Sequence, residues 1–260
     1  MRSVDAGEIM HPGVGPLVEA EALYVRQSRL GQRLRARPGG RIVVFDVGLG
    51  AGSNALAARA ESEAAPMAAA RLELVSFERD LGALRLALEH PADFALDGEA
   101  GQAARALLRD GAHESARTRW RLIEGDLLEA LHIQPLAADL VFWDPFSPRA
   151  NPSLWTVAAF AALRRVAADG CLVFTYSAST ATRVALLLAG WAVGIGDPIG
   201  DKAQTSAAAV RLEDLARPLD RAWLERLARA DVPLPPDAPA DAATCVAAAP
   251  QFAVAVGDRG

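Results

Sequence analysis

Four acids and one run of glycines are spaced along this chain as a small-molecule site would require. Asp46 enters the turn Gly48-Leu49-Gly50-Ala51-Gly52-Ser53-Asn54, and Glu78, Asp126 and Asp144 each fall within two residues of the end of a later apolar run. Glycines in such a turn let the backbone bend tightly, take positive φ and approach a ligand that a Cβ would push away. The apolar run Ile42–Val47 before the glycines and the helical sequence after them give the loop its meaning, a nucleotide-type cofactor site. The plain alternative is an ordinary strand-to-helix turn.

Spacing narrows the cofactor. A dinucleotide fingerprint reads G-x-G-x-x-G, and here Gly52 arrives one residue early. An acid two residues before the first glycine suits a cofactor with a positively charged amino-acid end better than a pyrophosphate. S-adenosyl-L-methionine, with its ammonium and sulfonium, is such a cofactor. An NAD-linked oxidoreductase would also need a catalytic His or a Tyr-Lys pair, and none is evident. The candidate cofactor contacts are Asp46, Gly48, Gly50, Gly52, Asn54, Glu78, Asp126 and Asp144. A carboxylate is a pure acceptor and can take two ribose hydroxyl protons, which fits Glu78; the alternative is a solvated carboxylate opening a helix. Asp126 either accepts the adenine amino group or caps the turn at Leu127.

The segment Asp144-Pro145-Phe146-Ser147-Pro148-Arg149-Ala150-Asn151-Pro152 is the second strong signal. An acid at a strand end, followed by rigid turn residues and an aromatic, can wall a substrate pocket. Methylation of an amine needs a free nitrogen lone pair, so an ammonium must first lose a proton, which a nearby carboxylate can accept. Asp144 is the candidate for that role, and Phe146 can stack on a flat base. A proline-rich loop with Asp144 as a turn cap is the alternative. The arginines from Arg26 to Arg41, Arg33 and Arg35 among them, either contact phosphates or form a solvated helix face. Lys202, the sole lysine, has the same two readings, and the five tryptophans read as core or rim packing.

These residues need a frame. Near-helical apolar spacing predicts a helix over 17–34, broken by Pro38-Gly39-Gly40. Strands are expected at 41–47, 72–77, 120–123, 138–143 and 170–176, with 191–195 and 206–210 closing the sheet as a hairpin-like pair. Helices are expected at 54–65, 81–89, 154–166 and 180–189, with an excursion over 91–115 whose helix covers 103–108. Seven strands alternating with helices imply an α/β fold, a mostly parallel sheet with helices on both faces. Ligands in such folds sit beyond the carboxyl ends of the strands. The division expected is a helical segment over 1–40, a central domain over 41–210 and an extension over 211–260, with a helix at 220–230 and a proline-rich linker; 242–249 is too bland to assign.

Composition sets bounds. At 260 residues and 52% hydrophobic the chain can bury a sizeable core. Net charge −5 and a pI near 5.5 argue against nucleic-acid binding through bulk charge, leaving local patches. Cys171 and Cys245 are too few for a disulfide framework, which with the absence of a leader-like apolar stretch in 1–8 and of a membrane-spanning run gives a cytoplasmic expectation. His11, His90, His113 and His132 have no metal-ligand spacing, so no metal is expected.

The segment from Asp139 through Asp144-Pro-Phe-Ser-Pro-Arg-Ala-Asn151 to Trp155 resembles the signature of the MnmC-type methyltransferase domain. Gly15-Pro-Leu-Val-Glu19, the glycine loop and Ser76-Phe77-Glu78 occur in the order that family uses, and the resemblance spans about 15–210. It implies a class I, Rossmann-like methyltransferase with S-adenosyl-L-methionine as methyl donor and, as acceptor, the aminomethyl nitrogen of a tRNA wobble uridine. Asp144 would be the catalytic acid, assisted by Phe146, and Glu78 and Asp126 would be cofactor contacts. Glu19, Arg33, Arg35, Asn151 and Lys202 are the candidate substrate contacts. The chain has no room for the FAD-dependent oxidase half of the fused enzymes, so a separate oxidase is the expected pathway partner. Pro145 stands where the fused enzymes tend to have glycine, and Ala51 where they have threonine.

Overall fold

A computed structural model of the chain describes residues 15–200, 202–230 and 232–253. The leader reading of 1–8 and His11 lie outside them. Eight strands form one sheet: β1 Arg41–Val47, β2 Arg71–Glu78, β3 Ala112–Glu114, β4 Thr118–Glu124, β5 Ala138–Trp143, β6 Ala167–Thr175, β7 Ala192–Gly196 and β8 Thr205–Ala209. Their order is β3-β4-β2-β1-β5-β6-β8-β7. From β4 to β6 all pairings are parallel; β3 runs antiparallel to β4 at one edge, and at the other β8 runs antiparallel to both of its neighbours, β6 and β7. The seven expected strands are present, and β3 is the additional one. Its three mostly exposed residues carry no apolar alternation that a sequence reading could register.

The central strands are near-continuous apolar runs because both their faces are covered. Ile42, Val44, Leu72, Leu74, Leu140 and Phe142 pack on one side under α1 Pro16–Ala20, α2 Leu30–Arg35, α3 Ser53–Glu63, α4 Gly82–Glu89 and α5 Gly98–Asp110. Val43, Phe45, Val75, Phe77, Val141 and Trp143 pack on the other under α6 Leu127–His132, α7 Val157–Arg165 and α8 Thr180–Leu188. This is the class I methyltransferase arrangement. The chain builds outward from β1 through β2 to β4, then returns to place β5 on the other side of β1. Such a reversal opens a crevice at the strands' carboxyl ends.

The single helix expected over 17–34 is three pieces. After α1 the backbone widens into a π-helical turn, Glu21–Arg26, which buries Leu23, Tyr24 and Val25 in succession. Arg29, at φ 55, then breaks the helix before α2. Beyond the sheet, α9 Arg221–Arg229 and α10 Ala242–Ala247 lie against α8, and the Trp223 and Phe252 rings stack at 6.2 Å. The Gln251 side chain accepts from Val193 N at 2.7 Å and donates to Val193 O at 3.1 Å, occupying the backbone groups of the edge strand β7. Among the described residues no helix is long and apolar enough to cross a membrane.

Candidate active site at the carboxyl ends of the strands

A cavity of about 270 Å³ lies where β1, β2, β4 and β5 end. Its floor starts at the glycine loop. Gly48 has φ +86, and a Cβ there would sit 2.6 Å from the Asp144 carbonyl oxygen. Glycine is required at 48 because the two strand-end loops touch, a reason separate from ligand approach. Gly50, at φ 53, presents its N–H to Glu78 Oε2 at 3.0 Å. Glu78 Oε1 accepts from Arg79 N at 2.8 Å and Asp80 N at 3.1 Å. The carboxylate is thus fixed by three backbone donors while its remaining lone pairs suit hydroxyl donors. Beside it, on the adjacent strand end where Gly125 N donates to Glu78 O at 2.9 Å, Asp126 serves as the cap considered from sequence: Oδ1 accepts from Leu128 N and Glu129 N at the start of α6. It lines the cavity as well.

Asp144 stands on the opposite wall. Asn54, at the start of α3, donates Nδ2–H to Asp144 Oδ2 at 2.8 Å, tying the glycine loop's helix to the end of β5. The following loop is held by aromatics: Tyr176 Oη donates to the Pro145 carbonyl at 3.0 Å and Trp155 Nε1 to the Phe146 carbonyl at 2.8 Å. Phe146, Asn151 and Lys202 line the cavity, with Lys202 Nζ 4.4 Å from the centre of the Tyr176 ring.

Asp46 does not reach the cavity; it lies wholly buried beneath the loop. Its Oδ2 accepts from Ser76 Oγ at 2.7 Å, and the Ser76 hydroxyl in turn accepts from Trp120 Nε1 at 2.9 Å. Burial first, then the charges of Asp144 and Glu78, push its carboxyl up to about 7, against the lowering effect of Ser76. The direct cofactor contact expected of Asp46 is therefore corrected to a support role under Gly48. Gly52 likewise caps the start of α3, at φ 92 beside Leu56 and Leu84, rather than lining the cavity.

The cavity's carboxylates bear on whether the residues suit S-adenosyl-L-methionine. Glu78, Asp126 and Asp144 line it, with the Asn54 amide bonded to Asp144. Such an acceptor-rich wall suits an ammonium, and fixed Glu78 suits a ribose. The fit is good. Among the described residues no group of three or more His, Cys, Asp or Glu is placed to hold a metal.

Arg33 and Arg35 are corrected by position. They sit on α2, which leads into the amino end of β1. Arg33 Nε donates to Ser28 O at 3.0 Å, Arg35 faces Glu61 at 4.0 Å, and neighbouring Arg37 pairs with Asp139 at the start of β5 at 2.6 Å. The length of β1, about 20 Å at 3.3 Å per residue, separates them from the cavity. Glu19, on α1, stays outside the lining and acts electrostatically on Tyr24. Sequence reading passed over Tyr24, Tyr176 and Leu127. Both tyrosines of the chain meet at Asp144's loop, and their scarcity was the one available signal.

Residues 103–211 match the family described as S-adenosyl-L-methionine-dependent methyltransferase. The chain is 30% identical over 228 residues to the tRNA 5-methylaminomethyl-2-thiouridine biosynthesis bifunctional protein MnmC of Methylibium petroleiphilum, covering 84% of this chain and 34% of that protein. It is 34% identical over 198 residues to the same-named protein of Paraburkholderia phytofirmans, covering 71% and 29%. The chain thus spans about a third of the length of the curated relatives it matches. The crystal structure of MNMC2 from Aquifex aeolicus superimposes with a TM-score of 0.70 at 25% identity, covering 88% of this chain and 72% of that one. The family match, the relatives and the shared architecture agree with the cavity's chemistry: this chain contains an MnmC-like, S-adenosyl-L-methionine-dependent methyltransferase domain.

Proposed function

We propose that the chain methylates the aminomethyl nitrogen of a modified wobble uridine in tRNA. The observation that carries the reading is the position of Asp144, bonded to Asn54 on the cofactor side and continuous with the Pro145–Phe146 wall on the other. The relatives' names supply the product class, a 5-methylaminomethyl-2-thiouridine of tRNA, whose unmethylated aminomethyl precursor would be the acceptor. When bound, S-adenosyl-L-methionine supplies a methyl group on positively charged sulfur. Glu78 would hold its ribose, Asp126 its adenine edge, and Asn54 and the Gly48–Gly50 backbone its amino-acid end. Asp144 takes the proton from the acceptor's ammonium, freeing the lone pair and orienting it into the cavity. Phe146 stacks on the uracil, and Asn151 borders it.

Phosphates need cations, and at the mouth of this acidic cavity these are Arg79 and Lys202. They replace Arg33 and Arg35 as the docking pair. In this reading residues 41–210 carry the chemistry in the cytoplasm, 1–40 and 211–260 flank it, and an FAD-dependent oxidase activity generates the free aminomethyl group. The test is mass spectrometry of wobble nucleosides from a strain lacking the gene. Unmethylated aminomethyl-uridine should accumulate and revert when the gene is restored. Unchanged nucleosides would move the acceptor to another amine.

A further inference from the structure

We propose that one face of β4, through Arg119 and Arg121, docks the phosphate backbone of the tRNA whose wobble base enters the cavity, continuing the cationic mouth at Arg79 down the strand. The inference rests on the reading of tRNA as the acceptor. Side chains alternate along β4. Trp120 and Leu122 join the core under α1 to α5, and Ile123 joins the core on the other side, so Arg119 and Arg121 share the face of Ile123. Their register partners on β2 fix that face, with Glu73 beside Arg119, Val75 beside Arg121 and Phe77 beside Ile123. Val75 and Phe77 are buried, but toward the sheet edge the cover ends: Arg119 is exposed and Arg121 half-buried.

The register puts Arg41, Arg71, Arg119 and Arg121 on this face against Glu73 and Glu114, so it is cationic on a chain of net charge −5. Arg71 is engaged, paired with Glu114 at 3.0 Å and donating to the Ser115 carbonyl at 3.0 Å. Arg119 and Arg121 make no side-chain ion pair or hydrogen bond among the described residues, and Arg121 Nε is buried without a partner. A guanidinium takes a phosphate through two parallel N–H donors. The two arginines stand two residues apart, about 6.6 Å along the strand. Arg121 precedes Gly125 of the cavity lining by four residues, about 13 Å. With the base in the cavity, the nearest phosphates meet Arg79, and those further along the chain meet Arg121 and then Arg119. None of the exposed large apolar side chains among the described residues lies on these strands, so the face fits a polyanion and not an apolar partner surface.

The test is tRNA binding measured across salt concentrations for a chain carrying both Arg119→Gln and Arg121→Gln. Each lost phosphate contact removes about 0.7 to 0.9 from the log–log salt slope, so the slope should become shallower by about 1.4 to 1.8. Affinity at low salt should fall roughly 10-fold or more, while S-adenosylhomocysteine affinity and melting temperature stay close to the parent. A second variant works in the opposite direction, which misfolding cannot imitate. Glu73→Gln removes the acid beside Arg119 and should tighten tRNA binding roughly two- to three-fold, the scale of one charge about 6 Å away in water. Parent-like affinity and slope in the double variant would overturn the proposal and make these arginines a solvated face, with the acceptor reading untouched. Glu73→Gln leaving tRNA binding unchanged or weaker would overturn it too. If the parent binds no tRNA at low salt, the acceptor reading falls and the docking surface with it. If both variants shift binding as expected but no tRNA is methylated, the surface stands and only the reading of the reaction falls.

Discussion

Asp46 and Asp144 are two carboxylates of one site given different work by their surroundings. Asp144 reaches the cavity; Asp46 is sealed beneath it with one oxygen bonded to Ser76 and the other without a hydrogen-bond partner among the described residues. Its carboxyl is raised from 3.8 to about 7, so across that window the folded chain keeps a proton that the unfolded chain has released. Folding stability from this group is therefore fully present below about pH 4 and declines as pH rises to about 7. Asp46→Asn cannot titrate. Urea unfolding across this range should show the parent's advantage over Asp46→Asn shrinking steadily with rising pH, by up to a few kcal/mol. A constant gap between the two would mean that Asp46 is charged in the fold.

At the scale of elements, what matters is where strands end. Gly48 lets the β1 and β5 loops touch, and a side chain there meets the Asp144–Pro145 backbone at an unfavourable φ. Gly48→Ala should lower stability by about 1–3 kcal/mol, the scale of a strained backbone position, and weaken S-adenosylhomocysteine binding in calorimetry. Binding and stability at parent levels would show that the loops can part without consequence. The strand ends were readable in the sequence because buried parallel strands are apolar throughout and stop at an acid or a glycine. So the cavity residues Gly48, Gly50, Asn54, Glu78, Asp126 and Asp144 could be named before any fold was seen. Tyr24 could not, because a π turn has no period of its own and the apolar spacing around it continues smoothly as a helix. Nor could β3, too short and exposed to carry a pattern, nor α10, whose alanines fit any state. Arg33 and Arg35 misled for a related reason: charge is visible in a sequence, but which end of a sheet carries it is not.

For the whole molecule, an acidic chain must meet a polyanion through a small local patch. Each cation that reaches a phosphate displaces counterions, so tRNA binding should weaken with salt at a log–log slope of about 0.7 to 0.9 per contact. Reversing Arg79 and Lys202 to glutamate should weaken binding and flatten that slope, whereas reversing Arg33 and Arg35, at the far end of β1, should change neither. The opposite pattern would put the tRNA on the α2 face, away from the cavity. The central claim, that Asp144 serves an amine on tRNA in this cavity, meets its most direct test in labelled methyl transfer. The parent chain, given S-adenosyl-L-methionine labelled in its methyl group and tRNA bearing aminomethyl-uridine, should place the label on that nucleoside's amine. Asp144→Ala should bind S-adenosylhomocysteine within a few fold of the parent yet transfer label roughly 10² times more slowly, the scale of a lost general base. Label on another nucleoside, no label at all, or transfer that persists in Asp144→Ala would contradict the account.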